Sequence, residues 1–140
     1  MIRRRGKPPW SHARVVKACP ALSSTDKLIW LEHRDLTNHG PCTMSASQLG
    51  RRVGVHRVTV ERARQDLQSV DLFVRADRGP GRTANWFPQL PVGCRPVGRQ
   101  LTDDEVEQHA ELLAVHVARA RENGAPERSA VKFTHAMSEL

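Results

Sequence analysis

Tyrosine is absent from this chain, and three tryptophans and three phenylalanines make up its aromatics, 4% of 140 residues. Nothing spaces Trp30 and Trp86 as a platform on which successive bases would stack, so both are expected in the core. Cysteine is also scarce. Cys19, Cys42 and Cys94 are odd in number, widely spaced and in no C-x-x-C pair, which argues against a disulfide framework or zinc ribbon and for reduced thiols in a cytoplasmic protein. Long apolar runs are missing: the opening MIRRRGKPPW is basic but lacks the apolar stretch of a signal peptide, and no later segment could span a bilayer. Catalytic signatures are missing too. The seven histidines show no H-E-x-x-H or metal-ligand spacing, His109 and His116 stand two helical turns apart, and there is no G-x-S-x-G, Walker loop or G-x-G-x-x-G. The acids Asp103 to Glu105 fit helix capping better than acid/base chemistry. A non-enzyme without metal or cofactor is expected.

Acids are few where bases are many. Residues 1–100 hold 18 Lys and Arg against 7 Asp and Glu, and residues 101–140 reverse this with 4 against 8, for a net charge of +7. A basic body points to a polyanionic partner, because Lys and Arg release counterions condensed on phosphates. A mildly basic solvated surface is the plainer alternative.

The length fits one compact domain with extensions. Residues 1–21 read as a basic N-terminal arm. Its RRRGK is either a minor-groove element or a disordered basic end, and WSHARVVKACP is ambiguous between helix and strand. Ser23 with Asp26 three residues on caps a helix through DKLIWLEHRDL, offering Leu28, Ile29, Leu31 and Leu36 to the core, until TNHGPC breaks it. Ser45 and Gln48 form a capping box opening a short helix over 46–53, and Gly54 ends it in a left-handed conformation that glycine adopts without strain. A further helix covers 57–70. LFVRADRGPGRTANWFPQLP reads as two strands, 72–76 and 84–89, with Pro88 confining the second to an edge. Residues 92–101 have the composition of a linker. A long amphipathic helix follows from the Thr102–Glu105 capping box to Asn123-Gly124, within a C-terminal helical region 102–140. The expected fold class is mainly α with a small β hairpin.

The stretch SQLGRRVGVHRVTVERARQDL carries the most specific pattern. Leu49 and Val53 face inward from the first helix, Gly50 is the small residue at the closest approach, Gly54 turns, Val55 plugs the turn, and Val60, Ala63 and Leu67 face inward from the second helix. This is a helix-turn-helix. Together with LSSTDKLIWLEHRDL before it and the segment VRADRGPGRTANWF after it, the region 22–91 resembles the winged helix-turn-helix domains common in bacterial, plasmid and phage regulators and replication proteins. Two positions depart from that pattern. Arg64 stands where an apolar residue is usual and is expected to snorkel outward, and Asp71 stands where glycine is usual but tolerates a left-handed conformation.

The resemblance implies that the second helix enters the major groove of double-stranded DNA. Arg57, Val58, Glu61, Arg62 and Gln65 are then the candidates for base edges: arginine pairs with guanine, a carboxylate accepts from cytosine and valine meets a thymine methyl. Phosphate positioning falls to Ser45, Ser47, Arg51, Arg52, His56 and Thr59, and the wing offers Arg75, Arg78 and Arg82. Ser45 also has a plain role as a helix cap, and Glu61 as a solvated partner of Arg57 or Gln65. The expected function is a small dimeric transcriptional regulator, a cytoplasmic, nucleoid-associated repressor acting by operator occupancy. A plasmid or phage origin-binding protein is the alternative, and a winged-helix protein-interaction module a third reading.

In the last long helix Val106, Ala110, Leu113, Val117 and Ala120 recur at alternating spacings of four and three, a narrow seam. It can join two copies, giving a homodimer that reads a palindrome, or fold back on its own chain with Leu112 and Val115. The tail from Ser129, with Val131, Phe133 and Met137, is a candidate site for a protein partner.

Overall fold

The computed structural model describes residues 8–37, 42–97 and 100–123. Among them the order is α1 (Trp10–Ala18), α2 (Ser24–Leu36), α3 (Ala46–Val53), α4 (Arg57–Ser69), β1 (Phe73–Ala76), β2 (Asn85–Pro88) and α5 (Asp103–Glu122), with a 3₁₀ turn Val92–Cys94 before α5. The chain is mainly helical with one small antiparallel sheet, an α+β arrangement. No helix among the described residues is long and apolar enough to cross a membrane. The segment 1–7 and the tail expected to form a helix from Ser129 lie outside them.

Helices start where the sequence supplies an acceptor for the orphan N–H groups of a first turn. Ser23 Oγ accepts from the Asp26 N–H at 3.1 Å. Ser45 and Gln48 exchange bonds of 3.1 and 3.0 Å, and Thr102 and Glu105 do the same at 3.2 and 3.1 Å, two reciprocal capping boxes. α4 ends on Asp71, whose φ of 66° is left-handed. There the Leu72 N–H reaches back to the Leu67 carbonyl at 2.8 Å and the Asp71 N–H to the Gln68 carbonyl at 3.2 Å, as in a Schellman stop.

The core is built from Ile29, Trp30, Leu49, Val60, Leu67, Leu72 and Leu90. Leu28, expected among them, is exposed, because Ile29, Trp30 and His33 form the face of α2 that turns inward. The Trp30 Nε1–H donates to the carbonyls of Leu72 and Gln89 at 3.1 and 3.2 Å, tying the base of the hairpin to α2. In that hairpin Phe73 pairs with Pro88, Val74 with Phe87, Arg75 with Trp86 and Ala76 with Asn85. Its second strand is not a free edge along its length: Cys42 bridges Trp86 from the other side through bonds of 2.9 and 3.3 Å, and Pro88 lies beyond that bridge.

Three expectations are resolved at the two ends of the chain. Residues 10–18, grouped with the arm, form a helix in which Ala13, Val15 and Val16 are fully buried. Of the two uses expected for the seam, it is covered within the chain, and by α1, without Leu112 and Val115, which stay exposed: Val106, Ala110, Leu113 and Val117 are buried, and Ala120 is partly so. Arg14 staples the pair, donating to the Leu101 carbonyl at 2.7 Å and to Asp103 at 3.0 Å. Among the described residues of the expected linker, Cys94 and Leu101 are buried and the Arg95 Nε–H donates to the Leu90 carbonyl at 2.8 Å, anchoring a stretch in which Val92 and Val97 are exposed. α5 meets the C-terminal end of α4, where His116 Nε2 lies 3.0 Å from the Val70 carbonyl.

Candidate nucleic-acid interface

α3 and α4 approach each other at Gly50, where a Cβ would stand 2.5 Å from the Val55 carbonyl oxygen, well inside van der Waals contact. Only glycine allows this approach. Gly54, at φ 81°, makes the turn, and its N–H and that of Val55 both reach the Gly50 carbonyl, at 2.8 and 2.9 Å. The turn presents the N-terminus of α4 beside α3.

α4 then has two faces. Val60, Ala63, Arg64 and Leu67 are buried, while Arg57, Glu61, Arg62 and Gln65 are exposed and Val58 is half-buried. All five residues expected to meet base edges therefore share the outer side of one helix. Arg57 and Glu61, one turn apart, lie 3.9 Å from each other, a solvated pair that separates at little cost. Ser47, Arg51, Val55, His56 and Arg57 line an open depression of about 380 Å³ beside the α4 N-terminus. His56 caps α4: its Nδ1 accepts from the Val58 N–H at 3.1 Å, so the neutral ring carries its hydrogen on Nε2 as a donor. Thr59 is half-buried one turn in.

Two expected phosphate contacts also have partners within the chain. The Ser45 oxygen accepts in the capping box, which leaves its O–H free to donate. Arg52 is paired with Glu32 of α2, whereas Arg51 lines the depression. In the hairpin Arg75 pairs with Asp77 at 3.1 Å and covers the Trp86 ring, while Arg78 and Arg82 are exposed at the tip. There Gly79 and Gly81 take φ of 109° and 72°, and Arg78 donates to the Thr83 carbonyl at 3.4 Å.

Arg64 corrects a further expectation. It does not snorkel outward but is only 4% exposed. Its Nε–H donates to His33 Nε2 at 3.1 Å and its Nη2 to the Met44 carbonyl at 2.7 Å, with Cys42 Sγ at 3.9 Å, and its guanidinium lies 5.2 Å from the centre of the Trp86 ring. His33 Nδ1 donates in turn to the Ile29 carbonyl at 2.7 Å, and its ring is 4.5 Å from Phe73, which meets Trp86 edge-on at 5.8 Å. The chain α2–α4–hairpin is locked through these five side chains. Burial, and then the guanidinium beside it, push His33 down to about 3, so the ring is neutral and accepts from Arg64; burial also lowers Arg64 itself. The sequence signal was the lone arginine on an apolar face, but its acceptors come from two distant segments, α2 and the stretch 42–44.

Among the described residues no group of three or more His, Cys, Asp or Glu is placed to hold a metal ion. Compared with known proteins, the chain matches no protein family, no curated protein and no solved structure.

Proposed function

We propose that this protein is a sequence-specific double-stranded DNA-binding protein of the winged helix-turn-helix type, a small transcriptional regulator that represses by occupying its operator. α4 enters the major groove with its N-terminal half, and Arg57, Val58, Glu61, Arg62 and Gln65 read base edges. Ser47, Arg51 and His56 position the phosphate backbone beside the α4 N-terminus, where N–H groups and the helix dipole favour an anion. Arg78 and Arg82 reach the adjacent backbone from the hairpin tip.

The observation that carries this reading is the division of α4. Its inner face is anchored by Val60, Arg64 and Leu67, while its outer face lines up side chains suited to base recognition beside a cationic hairpin. A helix serving only as packing or as an acidic protein-docking face needs no such row.

The test is selection of bound sites from random duplex DNA at moderate salt. An enriched sequence is expected, and its position in the source genome separates a regulator from an origin binder. On that site Arg57→Ala and Arg62→Ala should each cost about 1–3 kcal/mol and relax specificity at the base they read. Salt-sensitive binding without enrichment would point to an architectural role, and no binding at all to a protein-interaction module.

A further inference from the structure

With the inner seam of α5 covered by α1, the opposite face of the same helix carries a second pattern. Leu112 is 52% exposed and Val115 48%, and Ala118 is exposed beside them. Val115 is the centre of this face. Leu112 and Ala118 stand three residues to either side of it, and Glu111 and Arg119, both exposed, stand four residues to either side. At 100° per residue all five fall on one side of the helix.

The charges along this face are unevenly placed about Val115. Its N-terminal half carries Asp104 and Glu111, and beyond Val115 come Arg119 and, near the helix end, Glu122, which an axis at Val115 sets level with the uncharged Gln108 of a second copy. The neighbouring Arg121 is turned inward, donating to the Ala21 carbonyl at 2.9 Å and lying 3.9 Å from Asp26, so Arg119 is the cation this face presents.

We infer that this outer face of α5 is a self-association surface, on which a second copy of the chain docks antiparallel about a two-fold axis at Val115. An axis there sets Glu111 of each copy level with Arg119 of the other, twice over, and lays Leu112 against Val115 and the aliphatic stem of Arg119 of its neighbour. A parallel pairing would instead place Glu111 beside Glu111 and Arg119 beside Arg119. The face is thus complementary to itself in one orientation only, as an isologous contact requires. One helix pair is a small interface, so the association is weak and concentration-dependent. It holds whatever the ligand of α4 is.

The experiment is sedimentation equilibrium of the full chain without DNA, from micromolar to hundreds of micromolar, at low and high salt. The mass is expected to rise from 15.7 kDa toward twice that value. Glu111→Arg and Arg119→Glu should each weaken the dimer by about tenfold or more, because each sets like charges opposite one another twice. The double variant, which restores opposite charges with their places exchanged, should bring association back to within a few-fold. Leu112→Asp should give monomers. All three residues are exposed, and unchanged circular dichroism and melting separate lost association from lost folding. A monomer at every concentration overturns the inference. So does a dimer indifferent to the single swaps, which would place the interface elsewhere, or a double swap that fails to recover.

Discussion

Arg64 shows how a single residue can be misjudged from its own neighbourhood. On α4 it sits among inward-facing apolar positions, and a long cation there normally escapes to solvent along its stem. It stays inside because three acceptors from elsewhere, His33, Met44 and Cys42, converge on it and a tryptophan ring covers it. Arg64→Ala should lower unfolding stability in urea by about 2–4 kcal/mol, since it leaves the Met44 carbonyl and His33 Nε2 buried without a donor. In a folded Arg64→Met variant, His33 followed by NMR should titrate above its present value of about 3, the repelling charge being gone. Two buried groups give opposite acid responses. His33 is depressed below its unfolded value of 6.5, so its contribution is present above that pH and is lost as pH falls toward about 3. Asp26 is raised from 3.8 to about 6, chiefly by burial and then by Asp66, so its contribution is present below 3.8 and is lost as pH rises through about 6. Melting curves between pH 4 and 7 should therefore show Asp26→Asn gaining on the wild type as pH rises. A difference that does not vary with pH would mean Asp26 is ionised throughout.

At the scale of elements, the two glycines of the α3–α4 turn work for different reasons. Gly50 is needed for space, with backbone 2.5 Å from where a Cβ would be, and Gly54 for its φ of 81°, with nothing within 4 Å. Gly50→Ala should cost about 1–3 kcal/mol and weaken DNA binding by tilting α4. Gly54→Ala should cost about 1 kcal/mol and leave binding nearly unchanged. Both are read from urea unfolding and binding to the selected site, and equal effects on binding would mean the close approach does not orient α4. These elements were legible because their determinants are local: Ser45 and Thr102 cap within one turn, Gly54 and Asp71 stop helices, and Val60, Ala63 and Leu67 mark an inner face. α1 and the use of the α5 seam were not. The spacing of Val106, Ala110, Leu113 and Val117 specifies a partner surface but carries no information on whose it is, and Val15 and Val16 are adjacent, which fits strand or helix alike.

Across the whole molecule, charge is sorted by sequence. The α3–α4 pair and the hairpin bring Arg51, Arg57, Arg62, Arg78 and Arg82 to exposed positions, while α5 exposes Asp103, Asp104, Glu105, Glu107 and Glu111. α5 touches α4 through His116 at Val70, the end of α4 far from Arg57. Binding should then weaken steeply with salt, and replacing Arg78 and Arg82 by alanine should flatten the slope of log affinity against log salt by about 1–2. An unaltered slope would remove the hairpin tip from the phosphate backbone.

The docking of α1 on α5 also dictates an order of events during synthesis. Arg14 and its acceptor Leu101 are 87 residues apart. As the nascent chain leaves the ribosome, α1 emerges well before α5 and must wait, its valines uncovered on that side, until α5 has been translated. The α3–α4 pair can assemble from neighbours meanwhile, so α1 is made before it and docks after it.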